Sequence, residues 1–251
     1  MVSKTERDVD LQLAGLNAVV TGGSSGIGAA IVRVLAEEGC HVAFCARGRE
    51  GVTRMLASVA GLPGNVRGAC VDVGDADAVD TWLATLGAID IFIPNVSALS
   101  DSWRDTLALD VQASVAACEA ALPYLQRSPH GALTYIGSKA GSLACPGIPA
   151  YGAGKAAMAH YIKSLSARVL PGVRVNTVSP GDTLADGGVW DKVRRDDPAA
   201  YAKVVARNPL QRLATADEIA RVVAFISSPA ASFVAGANWY VDGGSTSHVQ
   251  Y

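Results

Sequence analysis

An α/β fold with a doubly wound parallel sheet is the class this sequence predicts, on three observations. Short β-type runs alternate with longer helical stretches from one end of the chain to the other. Most of the short runs carry their apolar residues consecutively, as strands covered on both faces do. The chain has 251 residues, half of them hydrophobic, which is enough for one large layered core.

The elements follow in a regular order. Ala18–Thr21 opens the sheet and Ile27–Glu38 follows it as a helix. His41–Ala46 precedes helical Arg49–Ala60, and Val66–Val71 precedes helical Ala76–Leu86. Ile89–Pro94 leads into the long helix Ser102–Arg127, and Ala132–Ile136 into Tyr151–Leu170. Val173–Val178, the helix Ala216–Ile226 and the strand Asn238–Val241 complete the set. Helical crossovers between strands make all seven parallel. No linker, repeat or low-complexity stretch interrupts them, so residues 1–251 read as a single domain. Asp182–Asn208 departs from the rhythm and holds Trp190, Tyr201 and several charges. A long insertion at a strand end in such a fold is a candidate substrate lid.

Composition removes several function classes. With 21 Lys+Arg against 23 Asp+Glu there is no basic excess for a nucleic-acid face. Five cysteines (Cys40, Cys45, Cys70, Cys118, Cys145) show no C-x-x-C pair, and with four scattered histidines they give no metal-site spacing. They read as small buried hydrophobes of a reducing compartment. Met1–Asp10 is polar and charged without an apolar centre, so no signal peptide is expected. Val222–Val241 lacks charges, but Ser227-Ser228-Pro229 and Gly236-Ala237-Asn238 divide it into a helix end, a loop and a strand. A soluble, cytoplasmic protein without a membrane span is the expectation.

The glycine-rich turn Thr21-Gly22-Gly23-Ser24-Ser25-Gly26-Ile27-Gly28 joins the first strand to the first helix. Gly22 permits the sharp turn, Gly26 admits a pyrophosphate close to the backbone, and Gly28 lets the helix pack on the sheet. Ser24, Ser25 and Ile27 stand with them at a helix N-terminus whose free N–H groups favour phosphate. A dinucleotide site of the Rossmann type follows. Past the second strand the sequence reads Cys45-Ala46-Arg47-Gly48-Arg49, with no carboxylate to hold a ribose 2′-hydroxyl. Arg47 can instead pair with a 2′-phosphate, which favours NADP(H) and leaves NAD(H) as the alternative; otherwise it is a solvated strand-end arginine. Asp72, before Val73 at the end of the third strand, either accepts from the adenine amino group or caps the next helix.

Tyr151 and Lys155 stand four apart at the start of a helix, which puts both on one face. A phenol titrates near ~10, and a nearby ammonium lowers that value towards useful acid–base catalysis. Ser138, just after the fifth strand, offers a hydroxyl to a carbonyl or alcohol oxygen.

In order and spacing these motifs resemble the short-chain dehydrogenase/reductase family over nearly the whole chain. They are Thr21–Gly28, Asp72, Asn95 after the fourth strand, Ser138 with Tyr151-x-x-x-Lys155, Asn176 before Ser179-Pro180-Gly181, and Val241-Asp242-Gly243-Gly244. The resemblance implies a seven-stranded parallel Rossmann sheet. It also implies that Tyr151 is the acid–base residue, that Ser138 orients substrate, and that Lys155 binds the nicotinamide ribose and tunes Tyr151. Asp72, Val73 and Asn95 then belong to the cofactor site, as do Pro180, Gly181 and Thr183.

Three departures from the family pattern stand out. The N-N-A-G segment reads Asn95-Val96-Ser97-Ala98. The asparagine of the long central helix is replaced by Asp110. Thr183 follows Gly181 after only one residue. Asp110 keeps acceptors but loses the amide donor; as a lysine anchor or proton relay it is expected to stay ionised and raise Lys155's pKa, the pairing outweighing the tendency of burial to leave Asp110 a neutral acid.

The expected reaction is NADP(H)-dependent interconversion of a ketone and a secondary alcohol, with 3-oxoacyl-carrier-protein reduction or a catalytically silent nucleotide-binding subunit as alternatives. Leu143, Cys145, Ile148, Leu184, Val189 and Trp190 come from loops expected to border an apolar substrate. Alanines 108, 113, 116, 117, 120, 121, 156, 157, 159 and 167 fit either close helix packing on the sheet or the subunit contact that the resemblance implies. A homo-oligomer, tetramer or dimer, is expected on the second reading.

Overall fold

Seven parallel strands order themselves β3-β2-β1-β4-β5-β6-β9 in the computed structural model, which describes residues 9–249. Met1–Asp8 and Gln250–Tyr251 lie outside the described residues, and with them most of the Met1–Asp10 segment. The first half runs β1 (Asn17–Thr21), α1 (Gly26–Glu37), β2 (His41–Ala46), α2 (Arg49–Ser58), β3 (Val66–Cys70), α3 (Ala76–Ala84) and β4 (Ile91–Ile93). Next come the single turn α4 (Trp103–Asp105), a π-helical stretch Thr106–Ala113, α5 (Ser114–Leu125), β5 (Ala132–Ile136) and α6 (Pro149–Val169). The last third holds β6 (Arg174–Pro180), β7 (Thr183–Leu184), α7 (Val189–Asp196), α8 (Pro198–Arg207), β8 (Ala214–Thr215), α9 (Ala216–Ser227) and β9 (Asn238–Val241).

Consecutive apolar residues in the strands serve two cores at once. Ala18, Val20, Val42, Phe44, Ile91 and Ile93 face the layer of α1, α2 and α9. Val19, Ala43, Cys45, Phe92, Leu133 and Tyr135 face α3, α5 and α6. Period-two alternation therefore sorts neighbours to opposite covers, giving a three-layer sandwich. Phe44 fills the room that two glycines leave: a methyl on Gly23 would lie 2.6 Å from its Cβ, and one on Gly68 2.7 Å from its ring.

The structure corrects several expectations. The helix expected over Ser102–Arg127 is three segments, with i→i+5 pairing where Asp110 lies. The Ser114 hydroxyl donates back to Leu109 O at 3.2 Å, inside that wider turn. Asp72 does not cap α3. Asp75 does, accepting from Ala78 N at 3.0 Å. The long insertion is not irregular, since it holds α7 and α8 and returns through a two-stranded parallel sheet of β7 and β8. Asp197 caps α8, and Pro198 occupies its first turn. Cys40, Cys45 and Cys118 are buried as expected, but Cys70 is exposed and Cys145 half-buried. Of the alanines, 113, 117 and 121 pack inward, whereas 108, 156, 157 and 167 are exposed.

Val222–Val241 divides as its breakers foretold, into the end of α9, a short 3-10 turn at Pro229–Ala231 and β9. Among the described residues no helix is long and apolar enough to cross a membrane, and no cluster of ligating side chains suits a metal.

Candidate active site

Parallel strands bring the turns after β1 through β6 to one edge of the sheet, and the chain reverses direction between β1 and β4 at its middle. Gly22, Arg47, Asp72, Asn95, Ser138 and Gly181 follow six successive strands and so share that edge.

The glycine turn is built for close approach. Gly22 and Gly26 have φ of +67° and +57°, the left-handed region where other residues are strained. A methyl on Gly28 would stand 2.2 Å from Gly22 O, so only glycine lets α1 start there. Ser25, the N-cap, makes no side-chain cap, and no acidic residue lies in the first turn. These features fit a pyrophosphate, because the N–H groups and positive dipole end face outward without an internal anion. Asn95 supports the turn from beneath: its N–H donates to Thr21 Oγ1 at 3.0 Å and its Nδ2 to Thr21 O at 3.1 Å. Its amide donor thus shapes the turn.

The remaining nucleotide-side residues separate by environment. Ser24 is half-buried against Gly51 of α2, while Ile27 packs into the core under α1. Arg47 is exposed and makes no ion pair among the described residues. Asp72 is exposed, with Oδ1 accepting from Gly74 N at 2.9 Å, and Val73 is buried in the core. Pro180 ends β6, and Gly181 donates to Val241 O at 3.0 Å. The Thr183 hydroxyl is turned back onto Gly181 O at 3.0 Å.

The reactive side chains meet on the inner face of α6. Tyr151 and Lys155 are both buried, and the Lys155 ammonium lies 5.7 Å from the Tyr151 ring centroid. Lys155 Nζ donates to Tyr135 Oη at 3.1 Å and to Ile136 O at 3.2 Å. Asp110 Oδ1 stands 3.7 Å from the same nitrogen. Ser138 Oγ accepts from Ala140 N at 3.1 Å and is a hydrogen-bond neighbour of the Tyr151 phenol.

Burial governs the protonation of Tyr151 and Lys155. Burial pushes Tyr151 up to about 12; the Ser138 hydroxyl counters this in part, while the negative charges of Asp110 and Asp182 add to it. The Lys155 ammonium lies over the Tyr151 ring, and burial is the largest influence on the phenol. Lys155 itself falls to about 8, because burial outweighs the upward pull of Asp110. Asp110 pulls Lys155 upward, the direction expected of it.

Three contributors carried no sequence signal. Tyr135 reads as a core strand residue, yet its hydroxyl holds Lys155. A methyl on Gly154 would lie 2.5 Å from Thr106 Cγ2, so this glycine lets α6 press against the π-helical stretch. Lys139, next to Ser138, pairs with Asp182 at 2.6 Å and reaches Ser245 Oγ at 3.2 Å, joining three strand-end segments. Only the neighbourhood of Lys139 to Ser138 could have hinted at that role.

Comparison with known proteins agrees with this architecture. The family model described as Enoyl-(Acyl carrier protein) reductase matches residues 22–246. Isoepoxydon dehydrogenase patN of Penicillium expansum is 34% identical over 246 residues, covering 92% of this chain and 95% of the relative. Cis-4-hydroxycyclohexanecarboxylate dehydrogenase of Sinomonas cyclohexanicum is 34% identical over 248 residues, covering 91% and 96%. The crystal structure of L-sorbose reductase from Gluconobacter frateurii, complexed with NADPH and L-sorbose, superposes with a TM-score of 0.88 at 26% identity, covering 96% of this chain and 100% of that one. With the strand order, the glycine turn and the Ser138–Tyr151–Lys155 group in place, the chain belongs to the short-chain dehydrogenase/reductase family of oxidoreductases.

Proposed function

We propose that this oxidoreductase interconverts a ketone and a secondary alcohol using NADP(H). The observation that carries the reading is the convergence of Ser138, Tyr151 and Lys155 at the ligand edge of the sheet, beside a glycine turn with no internal anion. Bound NADP(H) supplies or accepts the hydride. Ser138 and Tyr151 hydrogen-bond the substrate oxygen. In reduction Tyr151, protonated at neutral pH, gives its proton to that oxygen; in oxidation it takes the proton back. Lys155 supplies positive charge over the Tyr151 ring and donors for a ribose hydroxyl. Arg47, exposed and without a carboxylate partner among the described residues, suits a 2′-phosphate, and the NADPH bound by the sorbose reductase favours the same choice.

A largely apolar, alicyclic substrate is favoured. Ile148, just before α6, and Val189, the first residue of α7, are exposed hydrophobics. One relative is named for an alicyclic alcohol, cis-4-hydroxycyclohexanecarboxylate, whose ring is apolar while its carboxylate is charged. The α7–α8 segment would close over such a substrate as a lid, within a single domain of residues 1–251. Leu99, Trp103 and Leu107 are exposed at the start of the central helix and, with the outward alanines of α6, suit a homo-oligomeric contact.

A panel of cyclic and linear alcohols and ketones, run with NADPH and NADH, tests the reading. Turnover that vanishes in Tyr151→Phe and prefers NADPH supports it. Binding of nucleotide with no turnover of any alcohol–ketone pair would leave the silent-subunit alternative. Equal affinity for both cofactors would remove Arg47 from its role.

A further inference from the structure

Two of the departures from the family pattern meet in space. Ser97 stands where the N-N-A-G segment has alanine, and Asp110 where the central helix has asparagine. The Ser97 hydroxyl donates to Asp110 Oδ1 in a short hydrogen bond, and Ala98 N donates to Asp110 Oδ2 at 2.9 Å. Leu99 N donates to Ser97 Oγ at 3.2 Å, so the serine's acceptor side is engaged and its proton is directed at the carboxylate. Leu99 itself has φ of +46°, a left-handed conformation for a non-glycine residue, which fixes this turn at a local cost. Asp110 is fully buried, and its remaining neighbour of opposite charge is the Lys155 ammonium.

We infer that Ser97 is a positioning residue that acts through Asp110: it holds the buried carboxylate against Lys155, so that the two departures form one compensated unit. An asparagine at 110 would need no such donor, because it brings its own amide hydrogens. A carboxylate in that position has acceptors only, and a turn that aims a hydroxyl and an N–H at it supplies what it lacks.

The unit has a readable effect because every titrating group here feels the same charge. Facing the Lys155–Tyr151 pair are Asp110 from the π-helical stretch, Tyr135 from β5, Cys118 from α5, Cys145 from the loop before α6 and Asp182 after β6. The negative charge of Asp110 raises both Lys155 and Tyr151. Weakening its hold therefore moves both titrations to lower pH, whichever of them limits the rate.

The test combines Ser97→Ala, Asp110→Asn and the double variant, each read in two ways. The first readout is the pH profile of kcat/KM for ketone reduction. The second is the phenolate absorbance of Tyr151, taken as the difference from Tyr151→Phe, which needs no turnover. We expect Ser97→Ala to move the alkaline limb and the phenolate titration down by about half to one pH unit. Asp110→Asn should move them at least as far, and Ser97→Ala should add nothing in that background. Ser97→Thr, which keeps the hydroxyl, should restore the parent profile. Equal shifts by Ser97→Ala in both backgrounds, or a loss of rate with neither titration moved, would overturn the inference in favour of a purely structural turn. The kinetic arm rests on the proposed carbonyl reaction and the spectroscopic arm does not. An absorbance shift without any carbonyl turnover would therefore uphold Ser97 while removing the proposed reaction.

Discussion

The two edges of the sheet treat buried charge in opposite ways. At the edge where strands begin, Arg174 spends its guanidinium on five main-chain carbonyls: Ile226, Ala231 and Val234 through Nη1, Ser227 and Ser228 through Nη2. Asp90, at the same edge, accepts only neutral donors: Asn17 N at 2.7 Å, Asn17 Nδ2 at 3.2 Å and Ser128 Oγ at 2.5 Å. At the edge where strands end, Lys155 and Asp110 face each other at 3.7 Å. A charge surrounded by fixed dipoles holds structure together and does not respond to its neighbours. A charge facing another titratable group changes whenever that group does, which is the condition for moving protons. The residue types match the uses: arginine keeps its proton and forks to several acceptors, whereas lysine shifts readily when buried.

The largest effect that would separate the edges comes from Lys155→Met. Turnover should fall by about two to four orders of magnitude, and the unpaired Asp110 should cost stability as well. Adding Asp110→Asn should recover much of that stability and none of the rate. Recovery of both in the double variant, measured by urea melts and steady-state kinetics, would show that the pair is structural like its counterparts at the other edge.

Arg174→Met should act in the reverse sense. Loss of its donors leaves several carbonyls at the end of α9 unsatisfied, at a cost of about 2–4 kcal/mol, while kcat per folded molecule stays near the parent value. A large fall in kcat without a shift in the denaturation midpoint would break the distinction.

The pH dependence of stability sharpens it further. Lys155 is lowered from 10.5 to about 8 in the folded protein, so over that window the unfolded chain binds more protons and stability rises with pH. Tyr151 is raised from 10.0 to about 12, so beyond 10 the folded chain binds more protons and stability falls. Urea midpoints of the parent should therefore climb above pH 8 and turn over near 9, where the buried Cys40, Cys45 and Cys118 thiols, raised by burial, keep protons that the unfolded chain loses. The climb should be missing in Lys155→Met and retained in Arg174→Met. The smallest effect belongs to Asp90→Asn, expected to lose about 1–2 kcal/mol with an unaltered pH–rate profile.

The fold was legible because the strands carry apolar residues consecutively and because Gly22, Gly26 and Gly28 punctuate one strand–helix junction. Tyr151 and Lys155 were readable from helical spacing, and Ser138 from its place after β5, only in combination with the glycine turn and the family resemblance. What stayed hidden depends on tertiary contact. The π-helical stretch arises where Gly154 admits Thr106 and Ser114 bonds back to Leu109, and neither event leaves a periodic trace. The pKa values of Tyr151 and Lys155 follow from burial, which proximity in sequence does not report. The helices α7 and α8 were partly readable after all: Asp197-Pro198 is a helix-start signal that the irregular composition around it obscured.

The pairing of Thr183 with Ala214 and of Leu184 with Thr215 brings the two ends of the intervening segment side by side. Beyond it, the chain enters α9 through a capping box of Thr215 and Glu218, itself gripped by Arg212 at 2.6 and 2.8 Å. Departure and return are thus fastened to each other at β7 and β8, with Arg212 and Asn208 tying the returning arm to Glu218 and Asp242. Lengthening a loop whose ends are already joined costs little, roughly 0.6 kcal/mol for each doubling. Insertions between residues 185 and 207 are therefore expected to leave the sheet beneath in register, whereas changes at Asn208 or Arg212 reach the anchored return.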